Sequence, residues 1–283
     1  MTVRAQSGGL APARRAAYGH GMSRPVALIT GASAGIGQSF AEQLAASGHD
    51  IIAVARRRDR LEALAQRLGA AHQSNVEVLV ADLASEAGID AVAARAAATP
   101  IDLVINNAGM GGYRRFVELD PKVADALIAI HIRAVVRVTL AALPGMVERK
   151  QGGVINVSSL LAFSGASAEG FLPKRAVYAG AKAFLVTFTQ ALANELTDSG
   201  VRIQVCLPGI IKTEFHDVQG MDLSKVPRMS PDDLARASLA GLRLGEVVCV
   251  PALEDAAAAQ RIDEANGTLL AAARSTTIAA RYR

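Results

Sequence analysis

The chain has 283 residues, 51% of them apolar, and is long enough to bury a substantial core in one large domain or two smaller ones. Few aromatic side chains and no tryptophan are typical of an α/β protein and exclude the disordered and fibrous classes. The net charge of +4 is carried by residues 1–24, which contain four arginines and no acid, so the remainder is formally neutral. A neutral remainder with only a short basic run at residues 56–58 argues against nucleic-acid binding.

The first 22 residues are rich in glycine, alanine and arginine and show no strand or helix periodicity. We expect them to form a flexible N-terminal extension. A start site upstream of the true one at Met22 and a weak, acid-poor transit peptide are the alternatives. The apolar core of a secretory signal is missing from this segment.

From Val26 onward, short β-branched runs alternate with longer segments of helical periodicity. The predicted strands are Val26–Thr30, Ile51–Ala55, Val76–Val80, Leu103–Asn106, Val154–Ser158, Ile203–Leu207 and Val247–Val250. Helices are predicted near Gly35–Ser47, Asp59–Leu68, Ser85–Ala98, Pro121–Arg149, Val177–Ser199 and Pro231–Arg243. Strands that are apolar on consecutive residues suit a parallel sheet buried on both faces. The pattern therefore predicts a single α/β domain over residues 23–253, a doubly wound parallel seven-stranded sheet with helices on both faces.

A glycine-rich turn joins the first strand directly to the first helix. It reads Thr30-Gly31-Ala32-Ser33-Ala34-Gly35-Ile36-Gly37. Glycines permit a tight turn and close approach of a pyrophosphate, and a helix N-terminus offers free N–H groups and a positive dipole end. The strand before it and the helix after it predict dinucleotide binding rather than a merely flexible turn. The spacing is Gly-x-x-x-Gly-x-Gly, not the commoner Gly-x-Gly-x-x-Gly.

The end of the second strand indicates which dinucleotide is bound. A carboxylate there would hydrogen-bond the adenosine ribose and repel a 2′-phosphate. Ala55 stands at that end instead, followed by Arg56 and Arg57. Guanidinium groups bind phosphate with two parallel hydrogen bonds, so the sequence predicts NADP(H) rather than NAD(H). Arg58 and Arg60 are interpreted as solvated charges at the start of a helix.

Tyr178 and Lys182 lie four residues apart in a predicted helix and therefore share one face. A free tyrosine has a pKa near ~10 and exchanges protons poorly at neutral pH. A cation beside it stabilises the phenolate, so we expect Lys182 to lower the pKa of Tyr178 and make it a proton donor or acceptor. The alternative is an ordinary buried aromatic residue beside a solvated lysine.

Further motifs follow the other strands in a recognisable order. They are Thr30–Gly37, Asp82-Leu83, Asn106-Asn107-Ala108-Gly109, Ser158-Ser159, Tyr178-x-x-x-Lys182 and Pro208-Gly209. With these motifs the chain resembles a classical short-chain dehydrogenase/reductase from about Val26 to Val250. The resemblance implies a Rossmann-type fold and hydride transfer between NADP(H) and a small-molecule carbonyl or alcohol.

The resemblance also implies individual roles. Ser159 would hydrogen-bond the substrate oxygen, Tyr178 would give or take the proton, and Lys182 would hold the nicotinamide ribose. The implied cofactor-binding residues are Gly31, Ser33, Gly35, Ile36, Gly37, Arg56, Arg57, Asp82, Leu83, Asn107, Ala108, Gly109, Tyr178, Lys182, Pro208, Gly209 and Thr213. No metal site is expected. A non-catalytic NADP-binding regulatory protein on the same fold is the alternative function, and an epimerase or dehydratase is a third.

Two departures from the family pattern bear on the chemistry. His131 stands where the family usually has an asparagine that helps to hold a water beside the lysine. Two roles are open for its side chain: a member of a proton relay, or a core histidine whose ring nitrogens are satisfied by hydrogen bonds. Ser159 and Tyr178 are 19 positions apart, longer than usual, with the added residues in Phe163–Lys174. Together with a predicted lid at Ile210–Met229, this loop indicates a bulky, apolar carbonyl or alcohol.

The remaining features concern assembly and location. The helix at Val177–Ser199 is apolar nearly all round, which predicts cover from a second subunit in a homodimer or homotetramer. Cys206 and Cys249 lie in strand-like runs and are interpreted as buried, reduced thiols, consistent with a cytoplasmic protein. No apolar run reaches the ~18 residues of a membrane span.

The segment after residue 253 departs from the family's commonest ending. We interpret residues 254–283 as a helical tail that packs on the same domain, with one helix over Ala256–Arg261 and another near Leu269–Arg274.

Overall fold

The computed structural model describes residues 24–167, 172–255 and 257–283. Seven parallel strands form one sheet in the order β3-β2-β1-β4-β5-β6-β7. The strands are β1 Val26–Thr30, β2 Asp50–Ala55, β3 Val76–Val80, β4 Leu103–Asn106, β5 Gly152–Val157, β6 Val201–Cys206 and β7 Val248–Cys249. The predicted fold is confirmed, and the predicted strand ends lie within two residues of these bounds. The predicted N-terminal extension lies outside the described residues.

The helices follow the strands in alternation. They are α1 Gly35–Ala46, α2 Arg58–His72, α3 Glu86–Ala97, α4 Pro121–Ile128, α5 Ala134–Glu148, α6 Ala176–Glu195, α7 Glu214–Val218, α8 Pro231–Leu244 and α9 Ala257–Ala271. One π-helical turn, Ala129–Arg133, joins α4 to α5. Helix α8 shows why such segments begin and end where they do: the Ser230 hydroxyl accepts from the Asp233 N–H, and Gly245 ends the helix at φ +82°.

Both faces of the sheet are covered, so side chains of one strand enter two cores. Ala27 and Ile29 of β1 pack with α1, α2 and α8, whereas Leu28 packs with α3 and α5. Consecutive β1 residues are fully buried, which explains their unbroken apolar run. Burial of each large side chain contributes roughly 1.5–3 kcal/mol.

The strand order reverses between β1 and β4, and this reversal creates a crevice. From β1 the chain continues to β2 on one side, and from β4 it continues to β5 on the other. The loops after these two neighbouring strands diverge at their carboxyl ends. Ligands of doubly wound sheets bind in such a crevice.

A network of hydrogen bonds between buried amides and hydroxyls links β4 and β5 to helices α5 and α6. Asn106 of β4 donates to Thr139 of α5 at 3.0 Å and to Asn156 of β5 at 2.9 Å. Asn156 in turn donates to Thr189 of α6 at 2.9 Å. Because a buried polar group left unpaired costs about 1–3 kcal/mol, this hydrogen-bond network holds α6 in one position on the sheet.

The segment after β7 differs from expectation. The structure has one helix, α9, followed by a 3₁₀ turn at Ala272–Arg274, instead of two separate helical stretches. The residues of α9 are mostly exposed, and Gln190 of α6 donates to Asp263 at 3.0 Å. The prediction of two helices was wrong because Gly267 does not interrupt the helix.

Two helical stretches are long and apolar enough, by length and composition, to cross a membrane. They are Pro121–Glu148 and Ala176–Glu195, and both pack on the sheet in this fold. Cys206 and Cys249 are buried, as predicted, and lie directly opposite each other on β6 and β7.

Candidate active site

The glycine-rich turn after β1 leaves no space for side chains. Gly31 and Gly35 have φ values of +70° and +54°, a region that favours glycine. A Cβ on Gly37 would overlap the Gly31 carbonyl and lie 2.5 Å from the Asn107 amide nitrogen. The turn is therefore packed directly against the loop after β4.

Asn107 and Thr30 connect the two loops that line the crevice. The Asn107 side-chain amide donates to the Thr30 carbonyl at 2.9 Å. The Thr30 hydroxyl accepts from the N–H groups of Asn107 and Ala108 at 2.9 and 3.0 Å. Asn107 thus braces the glycine-rich turn.

The first turn of α1 is suited to an anion. Its N-cap, Ala34, contributes no side-chain hydrogen bond within the described part of the chain, and the first turn contains no acid. The exposed N–H groups and the positive end of the helix dipole therefore face the crevice. Together with the glycine cradle, these features fit a dinucleotide pyrophosphate.

The arginines after β2 occupy three different environments. Arg56 is exposed at the strand end. Arg57 donates to the Ser33 hydroxyl of the glycine-rich turn at 3.0 and 3.3 Å and pairs with Glu214 of α7 at 2.5 Å. Arg60 also pairs with Glu214, at 2.8 Å. Its side chain is 45% exposed, so Arg60 is solvated, as the sequence indicates, and in addition has an acidic partner that the sequence did not predict.

Arg58 is a solvated charge, as the sequence indicates. Its side chain is 67% exposed and lies 3.5 Å from that of Glu62, one helical turn away.

The other predicted cofactor residues line the same edge of the sheet. Asp82 is exposed after β3, and its carboxylate accepts from the Ala84 N–H at 3.0 Å, while Leu83 is buried. After β6, the Pro208 carbonyl accepts from the Leu160 N–H at 3.0 Å. Thr213 caps α7, and its methyl group lies against Gly35.

Ser159, Tyr178 and Lys182 lie together at the carboxyl end of β5. The Ser159 hydroxyl accepts from the Leu161 N–H at 3.1 Å and also hydrogen-bonds Tyr178. Tyr178 and Lys182 lie one turn apart on α6 and are only 6% and 4% exposed. The Lys182 ammonium donates to the Val157 carbonyl at 2.9 Å and lies 5.6 Å from the centre of the Tyr178 ring.

The expected lowering of the Tyr178 pKa is not found. Burial raises the pKa of Tyr178 well above that of a free tyrosine, and Tyr113 adds to the rise, while the Ser159 hydrogen bond opposes it. Burial also lowers the pKa of Lys182 to about 7, so its charge is partial at neutral pH. The desolvation of both groups outweighs the effect of the lysine's charge. Tyr178 therefore keeps its proton at neutral pH.

His131 lies on the π-helical turn and faces Tyr178. It is 1% exposed, and its ring centre lies 5.4 Å from that of Tyr178 with the planes at 86°. Its Nε2 lies 2.8 Å from the Met110 carbonyl oxygen. Burial, followed by the charge of Lys182, lowers its pKa well below the usual value, so the imidazole is neutral. The ring is thus both satisfied in the core and in contact with the phenol; its part in a relay stays a prediction.

Tyr113 is a member of the site that sequence reasoning missed. Its ring lies 5.3 Å from Tyr178 and 6.4 Å from Phe215 of α7, in edge-to-face arrangements. The rings of Tyr113 and Phe215 therefore both pack beside the ring of Tyr178. Tyr113 follows a glycine-rich loop without periodicity, so no sequence signal predicted that its ring would lie against Tyr178.

A cavity of about 630 Å³ adjoins the first turns of α6. Its lining includes Phe116, Ala162, Arg175 and Gly180. The added loop contributes Ser164, Gly165, Ser167 and Lys174 to the wall. The middle of that loop, residues 168–171, lies outside the described residues. Among the described residues, Tyr178 does not line this cavity, although its neighbour on the helix, Ala179, does.

Known proteins show the same organisation. The family model "short chain dehydrogenase" matches residues 25–222. An uncharacterised oxidoreductase of Bacillus subtilis, YmfI, is 34% identical over 190 residues, which cover 67% of this chain and 76% of the relative.

Two solved structures extend the likeness over almost the whole fold. A short-chain dehydrogenase from Sphingobium yanoikuyae in complex with NADPH is 37% identical, with a TM-score of 0.85 over 92% of this chain and 100% of that one. A bulky-bulky ketone specific alcohol dehydrogenase from Comamonas testosteroni is 31% identical, with a TM-score of 0.82 over 91% and 98% of the two chains. On its fold, its motifs and these matches, the chain belongs to the short-chain dehydrogenase/reductase family and is an oxidoreductase.

Proposed function

We propose that this protein transfers a hydride between NADP(H) and the carbonyl or secondary-alcohol carbon of a bulky, apolar substrate. The observation that carries the proposal is the position of the Tyr178 hydroxyl. It is buried beside Ser159 and Tyr113, at the same edge of the sheet as the glycine-rich turn.

The residues of the chain divide the work of reduction between them. When bound, the dinucleotide supplies the hydride. The glycine-rich turn and the start of α1 hold its pyrophosphate, and Thr213 and Lys182 orient its nicotinamide end. Tyr178, which is protonated at neutral pH, gives its proton to the substrate oxygen while Ser159 donates a hydrogen bond to the same oxygen. The phenolate left behind is stabilised by the positive charge of protonated Lys182.

Arginines at the adenosine end support NADP(H) as the cofactor. Arg56 is exposed at the end of β2, where no carboxylate stands, and Arg57 is already held against Ser33 of the turn. The Sphingobium yanoikuyae relative was solved with NADPH. Two guanidinium groups at this position suit the doubly charged 2′-phosphate.

Replacing Arg56 by Asp should move the preference toward NAD(H). A hydrogen bond to a charged group contributes about 1.5–3 kcal/mol, so the affinity for NADPH should fall about ten- to a hundredfold, and the affinity for NADH should rise. Fluorescence titration of each nucleotide measures both changes. Arg58→Asp, which makes the same change of charge at a solvated position, serves as the control. An unchanged NADPH affinity in Arg56→Asp would remove Arg56 from the site.

The substrate class follows from the walls around Tyr178. Tyr113 and Phe215 present ring edges and faces toward it, and aromatic walls favour apolar, planar groups. The predicted lid is anchored at its base, where the Lys212 N–H donates to the Met229 carbonyl at 2.9 Å. The bulky ketones named for the Comamonas testosteroni relative are consistent with such a site.

An NADPH absorbance assay against a panel of carbonyl compounds tests this proposal. The panel contains ketones, aldehydes, acyl thioesters and steroids of graded size. We expect NADPH consumption with bulky, apolar ketones and little with small, hydrophilic ones. No consumption with any member would contradict the proposal, and consumption limited to small polar carbonyls would contradict the substrate class.

We also propose a homodimer or homotetramer in which the outer face of α6 meets a second subunit. Phe184 and Phe188 stack at 5.5 Å on this helix and are only half-buried, and Leu140 of α5 is 66% exposed. Light scattering at low protein concentration should give a multiple of the 29.4 kDa chain mass, and Phe188→Glu should reduce it toward the monomer. A monomeric wild-type protein would contradict the proposal.

A further inference from the structure

The start of the lid contacts both ends of the crevice through three consecutive residues. Thr213 lies against Gly35 of the glycine-rich turn. Phe215 lies 6.3 Å from the ring of Tyr178. Between them, Glu214 extends away from the catalytic end toward α2.

The carboxylate of Glu214 is held by two arginines at once. One oxygen lies 2.5 Å from Arg57 and the other 2.8 Å from Arg60, although the chain positions of Arg60 and Glu214 are 154 apart. The three side chains are only 39–45% exposed. Hydrogen bonds from Arg60 and Arg57 lower the pKa of Glu214, so the carboxylate is ionised at neutral pH. This is a bridged ion pair, more strongly oriented than an isolated surface pair.

Arg57 is shared between the lid and the cofactor groove. The same guanidinium that pairs with Glu214 donates through Nε and Nη2 to the Ser33 hydroxyl, at 3.3 and 3.0 Å. A 2′-phosphate bound beside Ser33 would therefore meet an arginine whose charge is already partly compensated. The remaining positive charge at this end comes from Arg56, which is exposed.

We propose that Glu214 is a specificity-determining residue that limits the affinity for NADP(H) relative to NAD(H) and ties the lid to the adenosine end of the groove. The proposal rests on the NADP(H) preference proposed above. The carboxylate neutralises part of the charge of Arg57 and Arg60 and repels the 2′-phosphate, a group that NAD(H) does not carry. Because its neighbour Phe215 contacts Tyr178, the same ion pair positions a wall of the substrate site.

Glu214→Gln, which keeps the size of the side chain and removes its charge, tests this proposal. Loss of one negative charge near the 2′-phosphate should tighten NADPH binding about three- to tenfold and leave NADH binding within about twofold. Both affinities are measured by nucleotide fluorescence titration in the absence of substrate. Release of Phe215 should raise the KM for a bulky ketone several-fold with little change in kcat.

Two variants serve as controls. Asp217→Asn makes the same charge change three residues on, at an exposed position of the same helix, and should leave both nucleotide affinities unchanged. Glu214→Asp keeps the negative charge, so its affinity for NADPH should be close to that of the wild type. Thermal melting of each variant confirms that the fold is retained.

The outcomes separate this proposal from the proposed function. Tighter NADPH binding in Glu214→Gln, together with wild-type NADPH affinity in Asp217→Asn, supports the role of Glu214. Equal NADPH affinity in Glu214→Gln, Asp217→Asn and the wild type overturns it, while the NADP(H) preference stands. A wild-type protein that binds NADH as tightly as NADPH, or neither nucleotide, overturns both proposals.

Discussion

Replacement of Tyr178 by Phe should abolish turnover while the protein still binds NADPH. The variant loses one hydroxyl from a buried ring and keeps the ring contacts with Tyr113 and His131. General acid–base catalysis contributes about 10²–10⁴ in rate, so kcat should fall by at least about a hundredfold. The NADPH dissociation constant should stay within about fivefold, because a single neutral hydrogen bond contributes only ~1 kcal/mol. Steady-state kinetics on an active ketone and fluorescence titration measure the two quantities.

The matched control for this change is Tyr282→Phe. Tyr282 is 65% exposed in the C-terminal tail, and loss of its hydroxyl should change neither kcat nor NADPH affinity. Retention of more than about a tenth of wild-type kcat by Tyr178→Phe would exclude Tyr178 as the proton donor. Loss of NADPH binding would instead assign Tyr178 a mainly structural role.

Gly37→Ala should disable the cofactor site through the backbone. The added methyl group would overlap the Gly31 carbonyl, which is backbone, and lie 2.5 Å from the side-chain amide of Asn107, which a hydrogen bond to the Thr30 carbonyl holds in place. Forcing a methyl group into a packed site costs about 1–3 kcal/mol, which corresponds to a fall in Tm of roughly 2–12 °C for a chain of this size. Displacement of the turn should weaken NADPH binding more than about tenfold. Thermal melting and fluorescence titration measure these effects.

Gly69→Ala separates this effect from that of any glycine replacement. A Cβ on Gly69 in α2 would meet the Ser74 carbonyl at an ordinary contact distance of 3.8 Å. Because alanine is the better helix former by about 0.8–1 kcal/mol, this variant should be as stable as the wild type or more so. A Gly37→Ala protein with wild-type Tm and NADPH affinity would show that the turn is not packed as described.

The sequence predicted the parts of the fold that depend on local pattern. The strands are apolar on consecutive residues because both faces of the sheet are covered, as β1 illustrates. The crevice residues were also predictable, since the motifs follow strand ends that meet at one edge. Asn107 is an example: its place after β4 is enough to bring it to the glycine-rich turn, which follows the neighbouring strand β1.

Features that depend on distant parts of the chain were not predictable. The pairing of Arg60 with Glu214 joins positions 154 residues apart, and the folded path of the lid decides it. The raised pKa of Tyr178 depends on how completely water is excluded from the site, which two residues on one helix face do not reveal. The position of Tyr113 depends on a glycine-rich loop without periodicity.

The central claim is that a dinucleotide and a carbonyl substrate meet beside the Tyr178 hydroxyl. The most direct test uses NADPH deuterated at the transferable position of its nicotinamide ring, together with a ketone that the wild-type protein reduces. Mass spectrometry of the product should find the deuterium on the alcohol carbon, one atom for each NADPH consumed, and Tyr178→Phe should form almost none of this product. An alcohol without deuterium, or the same yield from Tyr178→Phe, would contradict the account.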